Sequence, residues 1–451
     1  MAERVVIRRT RRQAEAPARE FTFTQDMIPA LADGWTGPYF MREYRECAWA
    51  MFEQLPMPLT TDEAWRRTDI KDLQAGTFRM VNDDPAIPSM RPPESLLEPL
   101  VGERHGGQII LRPGETVMQL DPELASQGVV FSDLTTAERV HPELLEKIIG
   151  KVVTPDEGKF AALTAALAQT GVFIYVPRNV VVDQPLHSVI WGPGIGQAYF
   201  SHVLVYLDEG ASLTYVHEAA SPTEPKGQTL HSGIVEIRVG DRANLRFVEL
   251  QSWGEHVWNF SHERAQVGRD ANLDWIFGAI GSHLTKNFSD LDLVGEGATG
   301  RMSGFYFTDG IQHLDHDTQQ NHLAPHTTSD LLFKGALKDQ SRSVWQGMIY
   351  VAPGAQKTDG YQANRNLVLS RQSRADSIPG LEILADDVRC THGATVGKID
   401  PDQVFYLASR GLPKIEAERL IVEGFFDPIM QRIPFERVRE RFQQAILEKT
   451  R

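Results

Sequence analysis

The sequence predicts a mainly β protein, a right-handed parallel β-helix core flanked by N-terminal and C-terminal helical segments. Three observations point there. A weak internal repeat reads EGASL (209–213), GDRANL (240–245), GRDANL (268–273) and GEGATG (295–300), and its alanines, Ala211, Ala243, Ala271 and Ala298, are separated by 32, 28 and 27 residues. Such self-similarity marks a stacked solenoid, in which each coil hides its apolar face against the next. Val235, Ile237 and Val239 alternate with Glu236 and Arg238, the period of a strand with one buried and one wet face. Helical periods are confined to the two ends of the chain. A β-sandwich or propeller also fits the alternation, but no blade signature such as a recurring Trp-Asp accompanies it.

Taken in order, residues 1–20 read as a disordered, Arg-rich arm. They contain Glu3, Glu15 and Glu20 and lack the apolar run of a signal peptide. Residues 21–170 read as a mostly helical domain. Phe40, Tyr44, Cys47 and Met51 recur at helical spacing, which places Cys47 in a helix core. Thr60 and Glu63 are spaced as a capping box opening a helix over EAWRRTDI. A further helix is expected from about Pro155, with Phe160, Leu163 and Leu167 on one face and Gly171 as its C-cap. Gly107 to Met118 can supply a few strands.

The β-helix is expected over 171–399 and a helical domain over 400–451. Asp400 and Pro401 form an N-cap and N1 pair, and Gly411 ends that helix. Two more helices are expected over about 413–426 and 434–449. Leu420, Ile421, Phe425 and Phe426, with Ile415, make the first of these apolar enough to dock, either on its own β-helix or on another protein. The helices are read as appended to a solenoid that forms its own core. The solenoid's ends expose unpaired strand edges that must be capped or joined to a partner.

Composition narrows the chemistry. A chain of 451 residues is too long for one simple core. Its formal net charge of −14 argues against general nucleic-acid binding, which needs a basic face. Two cysteines cannot build a disulfide framework, and a thiol kept reactive belongs in a reducing compartment, so a cytoplasmic location is expected. No apolar run approaches the roughly 20 residues that span a membrane.

The segment 381–400, LEILADDVRCTHGATVGKID, sets Cys390 two residues before His392. On a strand the two share a face, with Asp386 and Val388 beside them and Asp387, Arg389 and Thr391 opposite. Thiolate and imidazole suit borderline metals and iron–sulfur clusters, while a buried cysteine beside a hydrogen-bonded core histidine is the plainer reading. His313, His316, His322 and His326 are dense in sequence, but 313 and 316 point to opposite faces of a strand, so hydrogen bonding is the expected role. GPGIG (192–196) lies between two strands rather than before a helix, which leaves phosphate binding unsupported. No Gly-x-x-x-x-Gly-Lys-Ser/Thr loop occurs, so the chain is expected not to be an ATPase.

ADDVRCTHGATVG followed by QVFYLASRG resembles the C-terminal signature of the SufB/SufD iron–sulfur assembly proteins, and the Cys-x-His-Gly-Ala-Thr form resembles the SufD branch. EAWRRTDI (63–70), GVFIYVPRNVVVDQPLH (171–187), HLAPHTTSDLLFKG (322–335) and KTDGYQANRNLVLS (357–370) are also similar to that family, in order along most of the chain. The resemblance implies a β-helix, a SufB-type partner joined through that core, and the ATPase SufC engaged through the C-terminal helices. It implies a non-catalytic scaffold in which His392, and second to it Cys390, ligate a transient cluster at the SufB interface. Two cysteines cannot supply four thiolates, so no cluster is expected to stay on the isolated chain. A homodimer of the chain alone remains open. The alternatives are a SufB-like scaffold subunit and, from another class, a β-helix carbohydrate-active enzyme. Against the first, no cysteine lies between Asp208 and Arg389 to relay sulfur. Against the second, no carboxylate pair stands at a defined spacing.

Overall fold

The structure, a computed structural model, describes residues 20–81, 92–93, 105–433 and 435–450. The arm expected over 1–20 lies outside the described residues except for Glu20. The centre of the molecule is a parallel solenoid of about eight turns, each contributing one strand to each of two facing sheets. The strands are β5 (Thr170–Val176), β6 (Leu186–Trp191), β7 (Gln197–Leu207), β8 (Ser212–Ala220), β9 (Thr229–Val239), β10 (Asn244–Ser252), β11 (Val257–Val267), β12 (Asn272–Ala279), β13 (Leu284–Leu293), β14 (Thr299–Thr308), β15 (His313–His322), β16 (Thr328–Leu337), β17 (Arg342–Val351), β18 (Asp359–Val368), β19 (Arg374–Ile383) and β20 (Arg389–Lys398). Odd strands pair only with odd and even with even, so the chain crosses to the opposite sheet after every strand.

The repeat read from the sequence is the corner of each coil. Gly210, Arg242, Asp270 and Gly297 all have positive φ, and each is followed by the fully buried alanine of its repeat. The left-handed residue turns the chain sharply, and a small side chain is what fits inside the corner. Register then stacks like on like. Leu213, Leu245 and Leu273 form one inward ladder, and Tyr215, Phe247 and Trp275 form the next, with ring centroids 5.4 and 5.9 Å apart. Each buried ring contributes about 2 to 3 kcal/mol.

The expected wet face at Glu236 is dry. Val235, Ile237 and Val239 face the core as their period predicts, but Glu236 is also fully buried, because the N-terminal region covers that outer face. Its carboxylate accepts N–H donors from Gly150 (2.7 Å), Lys151 (3.1 Å), Val152 (2.7 Å), Val153 (3.1 Å) and the His202 ring (2.8 Å). Nearby, Lys286 is wholly buried between Asp315 (3.0 Å) and Asp317 (2.8 Å). Trp65 packs on Phe160, Phe260 and Phe288 and clamps the 63–70 segment onto the same sheet.

The N-terminal region contains helices α1 (Tyr39–Gln54), α2 (Pro122–Ser126), α3 (Leu134–Val140), α4 (Pro142–Leu145) and α5 (Lys159–Leu167), with strands β1 (Arg79–Met80), β2 (Gly107–Arg112), β3 (Glu115–Leu120) and β4 (Val130–Asp133). It is not separate from the sheets: β2 and β3 extend one, β4 extends the other, and β1 pairs with β7. Three local expectations differ from the fold. The buried stripe of α1 is Met41, Arg45, Ala48, Trp49 and Phe52, with Arg45 paired to Glu138, and this turns Cys47 out to solvent. No capping box forms at Thr60, where Glu63–Trp65 is a single 3-10 turn held by tertiary contacts of Trp65. α5 ends at Leu167, and Gly171 lies inside β5, where a Cβ would collide with the His202 carbonyl of the neighbouring strand.

Helices α6 (Pro401–Ser409), α7 (Lys414–Met430) and α8 (Glu436–Thr450) close the chain, with Asp400 capping α6 and Gly411 at positive φ beyond it. α7 and α8 are not mere appendages. Val422, Phe426, Ile429, Phe442 and Ile446 bury Val216, Val248, Ile276, Phe305 and Phe307 on the outer face of the even-numbered sheet. Removing the chain from Leu412 onward would therefore strip the cover from an apolar face of the solenoid.

Replacing Glu236 with alanine leaves four backbone donors and His202 without their acceptor in a dry interior. We expect E236A to lose about 3 kcal/mol of stability, read as a lower melting temperature of the full chain by scanning calorimetry. A melting temperature equal to wild type would show that the carboxylate does not hold the N-terminal region to the sheet.

Candidate functional site

β20 is the last strand of its sheet, and β19 is the last of the other. Cys390 stands over Gly360, which stands over Ser329; His392 stands over Gln362 and Leu331. Both side chains therefore lie on the inward-facing columns of the solenoid, the same columns that deeper in the stack bury Leu273 and Trp275. No coil follows to cover them. His392 is consequently exposed and Cys390 half-buried, with Cys390 packing beside Ile349, Val351 and Ala355. The strand begins at Arg389, so Asp386 and Val388 are not strand neighbours of the pair; Asp386 sits in the bend that leads into β20.

Burial pushes the Cys390 thiol pKa up, the nearby Asp359 charge adds to this, and a backbone hydrogen bond from Gly360 opposes it. At neutral pH the group is a thiol, and ligating a metal ion requires it to release a proton. Gly360 lies beneath it in a close fit: a Cβ there would lie 3.3 Å from Cys390 Sγ, from His322 Nε2 and from Ile349. His322 is buried on the far side of that glycine. Its Nδ1 meets Thr327 Oγ1 at 2.7 Å and its Nε2 meets Ser329 Oγ at 2.8 Å. Thr327 donates its own hydrogen to the Ala324 carbonyl, and Ser329 accepts from Gln320, so the consistent assignment protonates Nδ1 and leaves Nε2 as the acceptor. Burial lowers the His322 pKa to about 4, keeping the ring neutral.

The other histidines of that run diverge. His313 faces outward and meets Thr68 at 2.8 Å, His316 points into the core, and His326 holds a corner with positive φ. Among the described residues no group of three or more His, Cys, Asp and Glu side chains is arranged to hold a metal ion. The chain thus offers two donors at an open end rather than a closed ligand set. GPGIG forms the loop between β6 and β7.

At the C-terminus, Phe426 is fully buried and Phe425 is packed against the same cluster, while Ile421 is half-buried. Phe426 serves the chain's own core and is not available to a partner; only Leu420 of the four expected residues is well exposed, at 40%. The larger exposed apolar groups are Phe405 (73%), Tyr406 (58%) and Ile415 (59%). α6 has no buried residue at all. Sequence reasoning passed over Phe405 and Tyr406, although adjacent aromatic residues, about 100° apart on a nine-residue helix, can share one broad exposed face.

Comparison with known proteins agrees with this architecture. A model of the SufBD core domain of the SUF system for FeS cluster assembly matches residues 190–425, and a model of the SufBD protein N-terminal region matches residues 35–187. The chain belongs to the SufBD family. Within it the chain is SufD-like: it is 31% identical over 433 residues to the iron-sulfur cluster assembly protein SufD of Bacillus subtilis (strain 168), covering 95% of this chain and 98% of that protein. It is also 34% identical over 320 residues to an iron-sulfur cluster assembly SufBD family protein of Staphylococcus saprophyticus, covering 70% of this chain and 68% of the relative. No helix among the described residues is long and apolar enough to cross a membrane.

The raised thiol pKa has a direct readout. Alkylation of Cys390 by iodoacetamide is expected to lag behind that of exposed Cys47 at pH 8 and to keep rising as pH passes the ordinary thiol range, because only the thiolate reacts. Peptide mass spectrometry separates the two sites. A Cys390 rate that levels off below pH 8 would contradict the burial effect.

Proposed function

We propose that this chain is a SufD-type scaffold subunit that joins a SufB-type subunit across the open end of its solenoid and contributes His392, with Cys390 second, to a transient iron–sulfur cluster there. The observation that carries this reading is the placement of both residues on uncovered inward columns, beside the unpaired edges of β19 and β20. Two ten-residue edges are a template for strand pairing. A partner's edge strands would complete both sheets and enclose the two side chains. Without SufB a second copy of the chain can use the same edges. The absence of cysteine between Asp208 and Arg389 supports the SufD role over a SufB-like one, since no thiol is present there to relay sulfur. A reducing, cytoplasmic setting suits a thiol used in this way.

Imidazole is a neutral ligand and is displaced from iron more readily than thiolate, which fits a cluster that must assemble and then leave. ATP hydrolysis belongs to a SufC-type partner. Phe405, Tyr406, Ile415 and Leu420 form the apolar surface on which it would dock, and this replaces Phe426 in the role expected from sequence.

Two tests follow. His392 is exposed, so H392A should change stability by less than about 0.5 kcal/mol, while iron per purified complex falls severalfold in anaerobic co-expression with SufB and SufC chains. Normal iron on a normally melting complex would reject the ligand role. Phe405→Asp combined with Tyr406→Asp should weaken SufC binding by about 2 kcal/mol or more and leave circular dichroism unchanged. Binding at wild-type strength would place the ATPase elsewhere.

A further inference from the structure

A second site lies away from the open-end cysteine and histidine, on the seam between the 60–72 segment and the outer face of the odd-numbered sheet. Trp258, Leu284, His313, Arg342 and Arg374 occupy one outward column, each directly beside the next on neighbouring strands. Arg342 and Arg374 are thus like charges in register, about 4.8 Å apart at the backbone, an arrangement that costs stability unless negative charge offsets it. Asp376 is shared between them, at 3.7 Å from Arg342 and 3.0 Å from Arg374. The Arg342 Nε is buried with no hydrogen-bond partner.

Arg66 and Arg67 face this column across a cleft of about 420 Å³, which His283 also lines. Arg67 hydrogen-bonds the neutral Gln346 at 3.3 Å and lies within electrostatic reach of the buried Asp315. The acids lining the cleft are Asp69 and Asp72; Asp69 is paired with Lys71 at 3.2 Å, and Arg66 makes a solvent-exposed pair with Glu63 at 3.5 Å, which offsets little of its charge. A chain of net charge −14 therefore gathers four arginines around one opening. The planar guanidinium fork grips a pair of oxygens of phosphate or carboxylate better than any other side chain.

A smaller pocket of about 240 Å³ adjoins the cleft, with Thr60 and Asp69 lining both. Met57, Pro58, Leu59, Ile70 and Leu73 give it an apolar wall, and Lys71 adds a further cation. Four cationic groups next to an apolar wall define a ligand with an anionic head and an apolar body. We propose that this seam binds a small organic phosphate ester, its phosphate held by Arg66, Arg67, Arg342 and Arg374 and its apolar part seated against Met57, Leu59 and Ile70. The ligand would offset the in-register arginines and tie the N-terminal region to the last coils of the solenoid. His283 at the cleft wall has its pKa lowered by burial, and a bound dianion would move it upward.

The probes are phenyl phosphate and inorganic phosphate, titrated calorimetrically into the full chain at constant ionic strength. Phenyl phosphate is expected to bind about fivefold more tightly than inorganic phosphate, reflecting the apolar pocket. R374Q and R67Q should each weaken it by about tenfold, the worth of one charged hydrogen bond, while R246Q on the opposite sheet leaves it unchanged. The Arg374 side chain is 64% exposed, so R374Q retains the fold, which its melting temperature checks. In wild type the His283 imidazole resonances should titrate at higher pH with phenyl phosphate present. No heat with either probe, equal binding by wild type and both cleft variants, or equal affinity for the two phosphates would overturn the proposal.

Discussion

In a two-sheet solenoid an inward side chain is hidden only by the coil laid over it, and everything else in this molecule depends on that condition. Parallel pairing in register makes each coil the floor for the next, so the apolar ladders headed by Leu213 and Tyr215 are buried by repetition rather than by a separate packing element. The condition fails at the last coil, β19 and β20, neither of which keeps a buried residue. Cys390 and His392 occupy core positions of a coil that has no successor, and their accessibility is a property of chain topology, not of an outward orientation.

The outer faces obey a different rule. A half-buried sheet normally turns polar residues to water, yet here flanking segments cover both sheets in part and bury charge as they do so. Glu236 and Lys286 are held dry by four backbone donors and by two aspartates respectively. Removing such charges from water costs several kcal/mol each, and only dense hydrogen bonding offsets it. The even-numbered sheet adds a broad apolar surface to its buried Glu218 and Lys334: its outer face carries Val216, Val248, Ile276 and Phe305 for α7 and α8 to cover. The solenoid and its flanks are therefore one cooperative structure, with β2 to β4 continuing the same sheets.

At the open end, geometry and acid–base chemistry work together. Gly360 lets the buried, neutral His322 and the Cys390 thiol approach the same point of the backbone, and burial keeps that thiol protonated. On the proposed reading His392 is the readier donor, being exposed and needing no buried thiol to ionise. On the same proposal, movement of one chain against the other would open the site, which suits a product that must be handed on.

The sequence by itself determined the solenoid, because the corner residues repeat: a left-handed position followed by a small buried one at Ala211, Ala243, Ala271 and Ala298. The alanine repeat alone stops short of the coil's full extent. After Ala298 the corner alanine becomes Thr327 and then Thr358, whose hydroxyls bond back to the Ala324 and Ala355 carbonyls, so the coil persists while its signature disappears. Period-2 alternation likewise placed Cys390 and His392 on one face. Whether that face was core, surface or interface was decided by the end of the stack, since alternation reports which residues share a side and not what lies opposite. The same limit turned Cys47 outward and buried Glu236 and Phe426. Local periodicity fixes the direction of a side chain relative to its own strand or helix, and only the packing of distant segments decides whether water is there to meet it.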